Sequence, residues 1–301
     1  GVRDPAQARA APAGIDVTGK LPDAVAAIVT CFATRPEVAA IALGGSRTSS
    51  HIDAASDYDL YVYLDGEIPL DVRRELAARF DSDAEIGNTW FGPGDEWADR
   101  AAGVSVDLMY WERAGFERQL REVIEGYHPS IGYSTAFWHT VRHSTPIFDR
   151  DGWFAGLLTL AATPYPEPLR RAIVAFNQPL LRTTRSSYRH QIELAIERDD
   201  PVSVQHRLTA LLASVFDIVF AVNRTLHPGE KRLLDHLGQL EHGAHLVPRI
   251  RALILASADP VRGLLPAIDA LCDDLDATIR DAGLADAIDT AGMRNSSDPG
   301  V

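Results

Sequence analysis

Three aspartates and a pair of glycines in the N-terminal half have the types and spacing to do chemistry. They are Gly44-Gly45-Ser46-Arg47, then Asp57 and Asp59, then Asp107. Asp57 and Asp59 open a segment rich in β-formers that runs to Leu64, so period-two geometry points both carboxylates to one side of a strand. Asp107 sits inside Val104-Ser105-Val106-Asp107-Leu108-Met109, where an ionised group is expensive unless it is paired or metal-bound. Three carboxylates about 4 Å apart repel by roughly 4 kcal/mol per pair at an effective dielectric of about 20. A divalent cation removes that penalty, and carboxylate oxygens are the hard ligands that Mg²⁺ prefers. Gly44 and Gly45 let the backbone approach a phosphate closely, while Ser46 and the amides after it can donate to phosphate oxygens. Arg47 adds a planar cation suited to the same group.

These residues must be positioned by an alternation of strands and helices. Apolar residues recur at helical spacing over 21–32, with Pro36 as the stop. Val38–Leu43 is a short apolar run ended by Gly44-Gly45, which predicts a buried strand entering a tight turn. Tyr58–Leu64 predicts a second strand closed by Asp65-Gly66, 70–80 a helix, and 104–111 a third strand. This half therefore predicts an α/β sheet. From about Glu167 onward the pattern turns helical: 201–225 carries the widest apolar face, with Pro201 at a tolerated first-turn position. Further helices are expected over 231–240, 247–257 and 261–280. The division between the halves falls between 149 and 168, marked by Asp151-Gly152 and by Pro164, Pro166 and Pro168. The expected organisation is a flexible leader over 1–20, a catalytic domain over 21–155, a helical domain over 156–292 and a disordered tail over 293–301.

Taken singly, each feature has a plain structural explanation. Gly-Gly-Ser is commonly a turn, Asp-x-Asp a solvated loop end, and a lone strand aspartate a satisfied buried carboxylate. Taken in order on consecutive predicted elements, they resemble the DNA polymerase β-like nucleotidyltransferase superfamily. Its signature is an apolar-Gly-Gly/Ser turn, an Asp-x-Asp on the next strand and a carboxylate on a later strand. The segments 90–107, with Gly94-Asp95-Glu96-Trp97 inside, and 221–232, with His227-Pro228-Gly229-Glu230-Lys231-Arg232, look like a bacterial family of nucleotidyltransferase-like proteins of largely undefined function. That branch is similar in architecture to the aminoglycoside adenylyltransferases, and the likeness spans about 37–240. It implies a mixed-sheet nucleotidyltransferase domain followed by an α-helical bundle, two Mg²⁺ ions, and ATP or another nucleoside triphosphate as substrate. Asp57 and Asp59 would ligate both ions and Asp107 the ion that activates an attacking hydroxyl, with Gly45 and Ser46 cradling phosphates. The implied activity is transfer of a nucleoside monophosphate to a hydroxyl of a small molecule, of which an aminoglycoside-like antibiotic is one example. A non-catalytic nucleotide-binding or antitoxin-like module, and an enzyme that modifies a protein or a tRNA end, are the rival readings.

Several further residues carry two readings each. Glu96 is a general base or a clamp for a cationic substrate, or else a solvated loop carboxylate between strands. Trp90, Trp97 and Trp111 line a substrate wall or belong to the core. Lys231 and Lys20 are the only lysines in a chain that otherwise uses arginine. Lys231 either reaches the triphosphate when the helical domain closes or is a surface residue near a helix start.

Composition bounds what the chain does. A net charge of -13 disfavours a phosphate-backbone binder, which normally shows a basic face, and suits a small or cationic partner. No apolar run approaches the roughly 18 residues of a membrane span. The N-terminus, Gly1 rather than Met, lacks a secretory pattern and predicts a processed start. Cys31 and Cys272 are too few for a disulfide framework or zinc cluster, so a reducing cytoplasm is expected. No Gly-x₄-Gly-Lys-Ser/Thr, dinucleotide glycine fingerprint, His-Glu-x-x-His or Gly-x-Ser-x-Gly is present.

Overall fold

The computed structural model describes residues 21–44 and 57–289. The expected leader over 1–20, the tail over 293–301, and Gly45, Ser46 and Arg47 lie outside them. Contacts divide the chain into two compact units, one holding the described residues up to Gln119 with Thr140–Ala162, the other Leu120–His139 with everything from Thr163.

The first unit opens with α1 (Asp23–Ala33), whose Ala24, Val25, Ile28 and Phe32 recur on one face and are buried. Strands β1 (Val38–Leu43) and β2 (Tyr58–Leu64) follow, then α2 (Leu70–Ala77). Next come β3 (Glu85–Asn88), β4 (Gly94–Asp99) and β5 (Val104–Glu112). Helix α3 (Arg113–Ile124), α4 (Ala136–Arg142), β6 (Thr145–Asp149) and α5 (Trp153–Ala161) complete the series. The six strands form one mixed sheet in the order β3-β4-β5-β2-β1-β6. Only β2 and β5 pair in parallel; the other neighbours are antiparallel.

The two faces of this sheet differ. One carries Ile41, Leu60, Val62, Val106 and Leu108, packed against Val25, Ile28 and Phe32 of α1 and Leu76 of α2. Truncating one of these, Leu108→Ala for instance, should cost about 2–5 kcal/mol. On the other face the ring of Tyr63 packs against Phe116 of α3, Trp153 and Phe154 of α5 at centroid distances of 5.0, 5.2 and 5.3 Å. Residues 105, 107, 109 and 111 of β5 share that face and are all less buried than Val106, Leu108 and Tyr110 between them.

The second unit is helical: α6 (Glu167–Arg182), α7 (Tyr188–Glu197), α8 (Pro201–Val222), α9 (Leu233–Leu237), α10 (Val247–Ala256), α11 (Pro260–Asp281) and α12 (Ala285–Asp289). Helix α8 starts where Asp200 accepts from the Ser203 amide at 3.0 Å, a capping contact. It stops at Val222, short of the 225 that periodicity suggests, because Arg224 turns the chain with φ of 50°. By length and composition α8 is able to cross a membrane, yet Leu211, Val215, Ile218 and Val219 are wholly buried in the core this unit forms around it. A mixed α/β sheet unit and a helical unit are thus both present. The divisions at 119/120 and 139/140 fall inside α3 and α4. No linker composition marks them; the remaining division, at 162/163, falls inside the 149–168 stretch but after the 155/156 bound expected from the sequence.

Candidate active site

Strand register assembles the carboxylates. Asp59 of β2 stands opposite Asp107 of β5, and Asp107 in turn stands opposite Glu96 of β4. Facing residues on paired strands project to the same side, so Glu96, Asp107 and Asp59 form a row across three adjacent strands. Asp57 lies just ahead of β2 and is exposed, two positions before Asp59 and on the same side by period two. The row lies on the face opposite α1 and α2.

The charges act on one another. Asp107, half-buried, is pushed up to about 6, first by burial and then by Glu96, Asp59 and Asp57. All four influences act in one direction. A site in which each described neighbour opposes ionisation is one that a cation would relieve. Oxygen donors alone, in this number, suit a hard ion such as Mg²⁺. Among the described residues, however, no three His, Cys, Asp or Glu side chains close around one point. The strand spacing accounts for part of this: neighbouring strands stand about 4.8 Å apart, so Glu96 and Asp59 each flank Asp107 from one strand away and lie about 10 Å from each other across it.

Gly44 ends the row on the side of β1. Its N–H donates to the Asp59 carbonyl at 2.9 Å, which extends the β1–β2 ladder by one rung beyond Leu43. A side chain at Gly44 would project onto the carboxylate face. There it would collide with Cε2 of Tyr61 and lie 2.9 Å from Cδ2 and 3.0 Å from Cζ. Tyr61 pairs with Ala42 and Met109 on that face. Its hydroxyl is pushed up to about 12, first by burial and then by Asp59 and Asp107. The tyrosine ring therefore occupies the space over Gly44, and a β-carbon there would have to push the ring aside. Sequence reading passed over Tyr61, although Asp59-Leu60-Tyr61 puts it on the carboxylate side by period two.

Glu96 sits in a strand rather than a loop. It is exposed between two buried neighbours, Asp95 and Trp97. Asp95 is satisfied from three directions: Arg73 Nη1 at 3.0 Å, the Gly87 amide at 2.7 Å and the Tyr110 hydroxyl at 2.6 Å. The Arg73 guanidinium also lies 4.6 Å from the centroid of the Tyr110 ring. These contacts tie α2, the β3–β4 hairpin and β5 together, and so hold Glu96 level with Asp107.

The tryptophans separate. Trp97 is core, stacked on Phe80 at 5.5 Å on the face away from Glu96. Trp111 shares the carboxylate face two rungs beyond Met109 and packs edge-on against Phe116 at 5.4 Å. Trp90 is 75% exposed and donates its indole N–H to Glu85 at 2.6 Å. Lys231 is exposed in the turn ahead of α9, within the helical unit. A concavity of about 540 Å³ lined by Ala27, Thr30, Cys31 and Arg79 lies beside α1, on the helix-covered side of the sheet and away from the carboxylate row.

No family model matches the chain, and no curated protein matches it. Among solved structures it is similar to a nucleotidyltransferase-like protein from Exiguobacterium sibiricum 255-15, at 15% identity and a TM-score of 0.46, over 92% of this chain and 81% of that one. At that score the likeness decides neither fold nor chemistry, and both rest on the residues themselves.

Proposed function

We propose that the chain is a divalent-metal-dependent nucleotidyltransferase that moves a nucleoside monophosphate, AMP from ATP in the simplest case, onto a hydroxyl of a small molecule. The observation that carries this reading is the row Glu96–Asp107–Asp59 on three adjacent strands, with Gly44 at its end. Asp57, Asp59 and Asp107 are the residues that would hold Mg²⁺, two ions on the superfamily resemblance. Such an ion supplies charge neutralisation on the phosphate and a lowered pKa for the attacking hydroxyl. Glu96, exposed and level with Asp107, would take a proton from the acceptor hydroxyl or bind a cationic group on it. Gly45, Ser46 and Arg47 are proposed to receive the phosphates, and Lys231 to contact the triphosphate. The net charge of -13 favours a cationic, hydroxyl-rich acceptor of the aminoglycoside kind over nucleic acid.

The test is calorimetric titration of Mg²⁺ with each nucleoside triphosphate. Incubation with hydroxylated amines follows, with mass spectrometry of the products. Binding, pyrophosphate release and an acceptor heavier by one nucleoside monophosphate are expected; no binding of any triphosphate refutes the enzyme. Lys231→Ala should weaken Mg-ATP by about 1.5–3 kcal/mol, the range of a charge-assisted hydrogen bond, with equal dissociation constants removing Lys231 from the site. A second reading, a nucleotide-binding module without turnover, draws on the absence of a closed ligand cage among the described residues. It predicts binding with no pyrophosphate released under any acceptor.

A further inference from the structure

We propose that Tyr61 is a substrate-positioning residue: its ring fixes the Gly44 backbone beside Asp59, and its hydroxyl is the neutral donor that meets a phosphate oxygen at the Asp59–Asp107 pair. The identity of that ligand rests on the nucleotidyltransferase reading; the contact with Gly44 does not.

Two geometric facts converge on this residue. Strand β2 sends Asp59, Tyr61 and Tyr63 to one face. Tyr63 is wholly buried under α3 and α5, whereas Tyr61 is only half-buried and stands between that aromatic cluster and the carboxylates. Packing alone would be served by phenylalanine, which suits a strand as well and puts the same ring over Gly44 without a polar group. The ring meanwhile lies over Gly44 so closely that no β-carbon fits there while the ring keeps its place, and Gly44 is itself bonded to Asp59 through the backbone. Displacing the ring would therefore free the end of β1 at the point where it meets the carboxylate row.

The hydroxyl has a chemical role that the row lacks. Ionised carboxylates only accept hydrogen bonds, so Glu96, Asp107 and Asp59 offer an incoming phosphate oxygen nothing but repulsion. Tyr61 is a donor on the same face. A phenol, with an ordinary pKa of about 10, is protonated and uncharged at neutral pH. A neutral donor there binds an anion without drawing the carboxylates into an ion pair, which a lysine or arginine would do.

Two sets of variants test the two parts. Tyr61→Phe deletes the donor and keeps the ring. Its Mg-ATP dissociation constant should rise roughly tenfold, the loss of one hydrogen bond, with KM rising more than kcat falls and the melting temperature of the apo protein unchanged. An unchanged dissociation constant in Tyr61→Phe, with the parent protein binding normally, overturns the donor role alone. A parent protein that binds no Mg-nucleotide overturns the enzyme reading and the donor role together. The contact is read without any ligand. Gly44→Ala should lower the melting temperature in the parent, and much less in a Tyr61→Ala background where the ring is gone. Equal losses in the two backgrounds overturn the Gly44–Tyr61 contact, whatever the protein binds.

Discussion

Asp107 in the sheet unit and Asp217 in the helical unit both titrate far above an ordinary aspartate, at about 6 and about 7. Burial is the leading cause in each. What surrounds them differs in sign. Around Asp107 the remaining influences are Glu96, Asp59 and Asp57, all of which oppose its charge. Around Asp217, 1% exposed on α8, the remaining influences are hydrogen bonds that favour its charge. The Ser134 hydroxyl donates at 2.6 Å, the Ser134 amide at 3.0 Å and the Asn177 side-chain amide at 3.3 Å. Asn177 also donates to the Ser130 carbonyl and accepts from the Gly132 amide. The stretch 130–134 is thereby tied down onto α8, where a β-carbon at Gly132 would come within 3.0 Å of Cβ of Ala213. A raised pKa is a common mark of a functional site, but here it occurs in two places with opposite meanings. Neighbours that donate make Asp217 a structural anchor, whereas neighbours that repel leave the charge of Asp107 uncompensated by any of them, the feature on which the proposed cation role rests.

The comparison breaks most clearly under substitution. Asp59→Asn should lower turnover about a thousandfold, the loss of several kcal/mol of metal-assisted stabilisation, because a neutral amide binds Mg²⁺ far more weakly. The stability of the apo protein should hold or rise, since one of the charges acting on Asp107 is gone. Asp217→Ala should do the reverse. It strands the buried donors of Ser134 and Asn177 and should cost about 3 kcal/mol of folding stability, read by urea unfolding. Asp59→Asn that destabilises as much as Asp217→Ala would make both carboxylates structural.

How much of this could be read from residues alone depends on where the signal is local. Val38–Leu43 and Tyr58–Leu64 show their bounds directly, since an apolar run stopped by glycine or by Asp-Gly needs no partner to be seen. The mixed sheet followed by helices was legible for the same reason. Which rung Asp59 and Asp107 share was not, because a parallel pairing across forty-odd intervening residues leaves no periodic trace in either segment. Strand β4 escaped notice because Gly-Asp-Glu-Trp looks like a loop. Its alternation is real, buried Asp95, exposed Glu96, buried Trp97, but the first buried member is an aspartate, and only Arg73, Gly87 and Tyr110 make that tolerable. Strand β6 begins Thr145-Pro146, and proline in a short edge strand hides it likewise. Gly44 carried a signal with two origins, close approach to a phosphate or a ring packed on the backbone, and spacing does not separate them.

The smallest effect sharpens the contrast from the pH side. Asp217→Asn keeps an oxygen for the Ser134 amide, the Ser134 hydroxyl can rotate to suit, and the Asn177 amide loses its longest contact but keeps the Ser130 carbonyl, so the cost near neutral pH should be about 1 kcal/mol. Its pH dependence should differ from the parent's. In the parent, Asp217 holds its proton to about pH 7 in the folded state but only to about 3.9 when unfolded. Over that window the folded state binds more protons, so the stability contributed is full below about pH 4 and is lost as pH rises towards 7. His227 works the other way: burial lowers it to about 4, against about 6.5 when unfolded. Its contribution is therefore present above about pH 6.5 and lost as pH falls towards 4. The two nearly oppose each other in the parent. Removing the Asp217 titration leaves that of His227, so the stability of Asp217→Asn relative to the parent should rise between pH 4.5 and 6.5, by at most about 1.4 kcal/mol per pH unit for one proton. Urea unfolding of both proteins at several pH values decides it. Parallel profiles would mean that Asp217 stays ionised in the folded protein, and that Ser134 and Asn177 outweigh its burial.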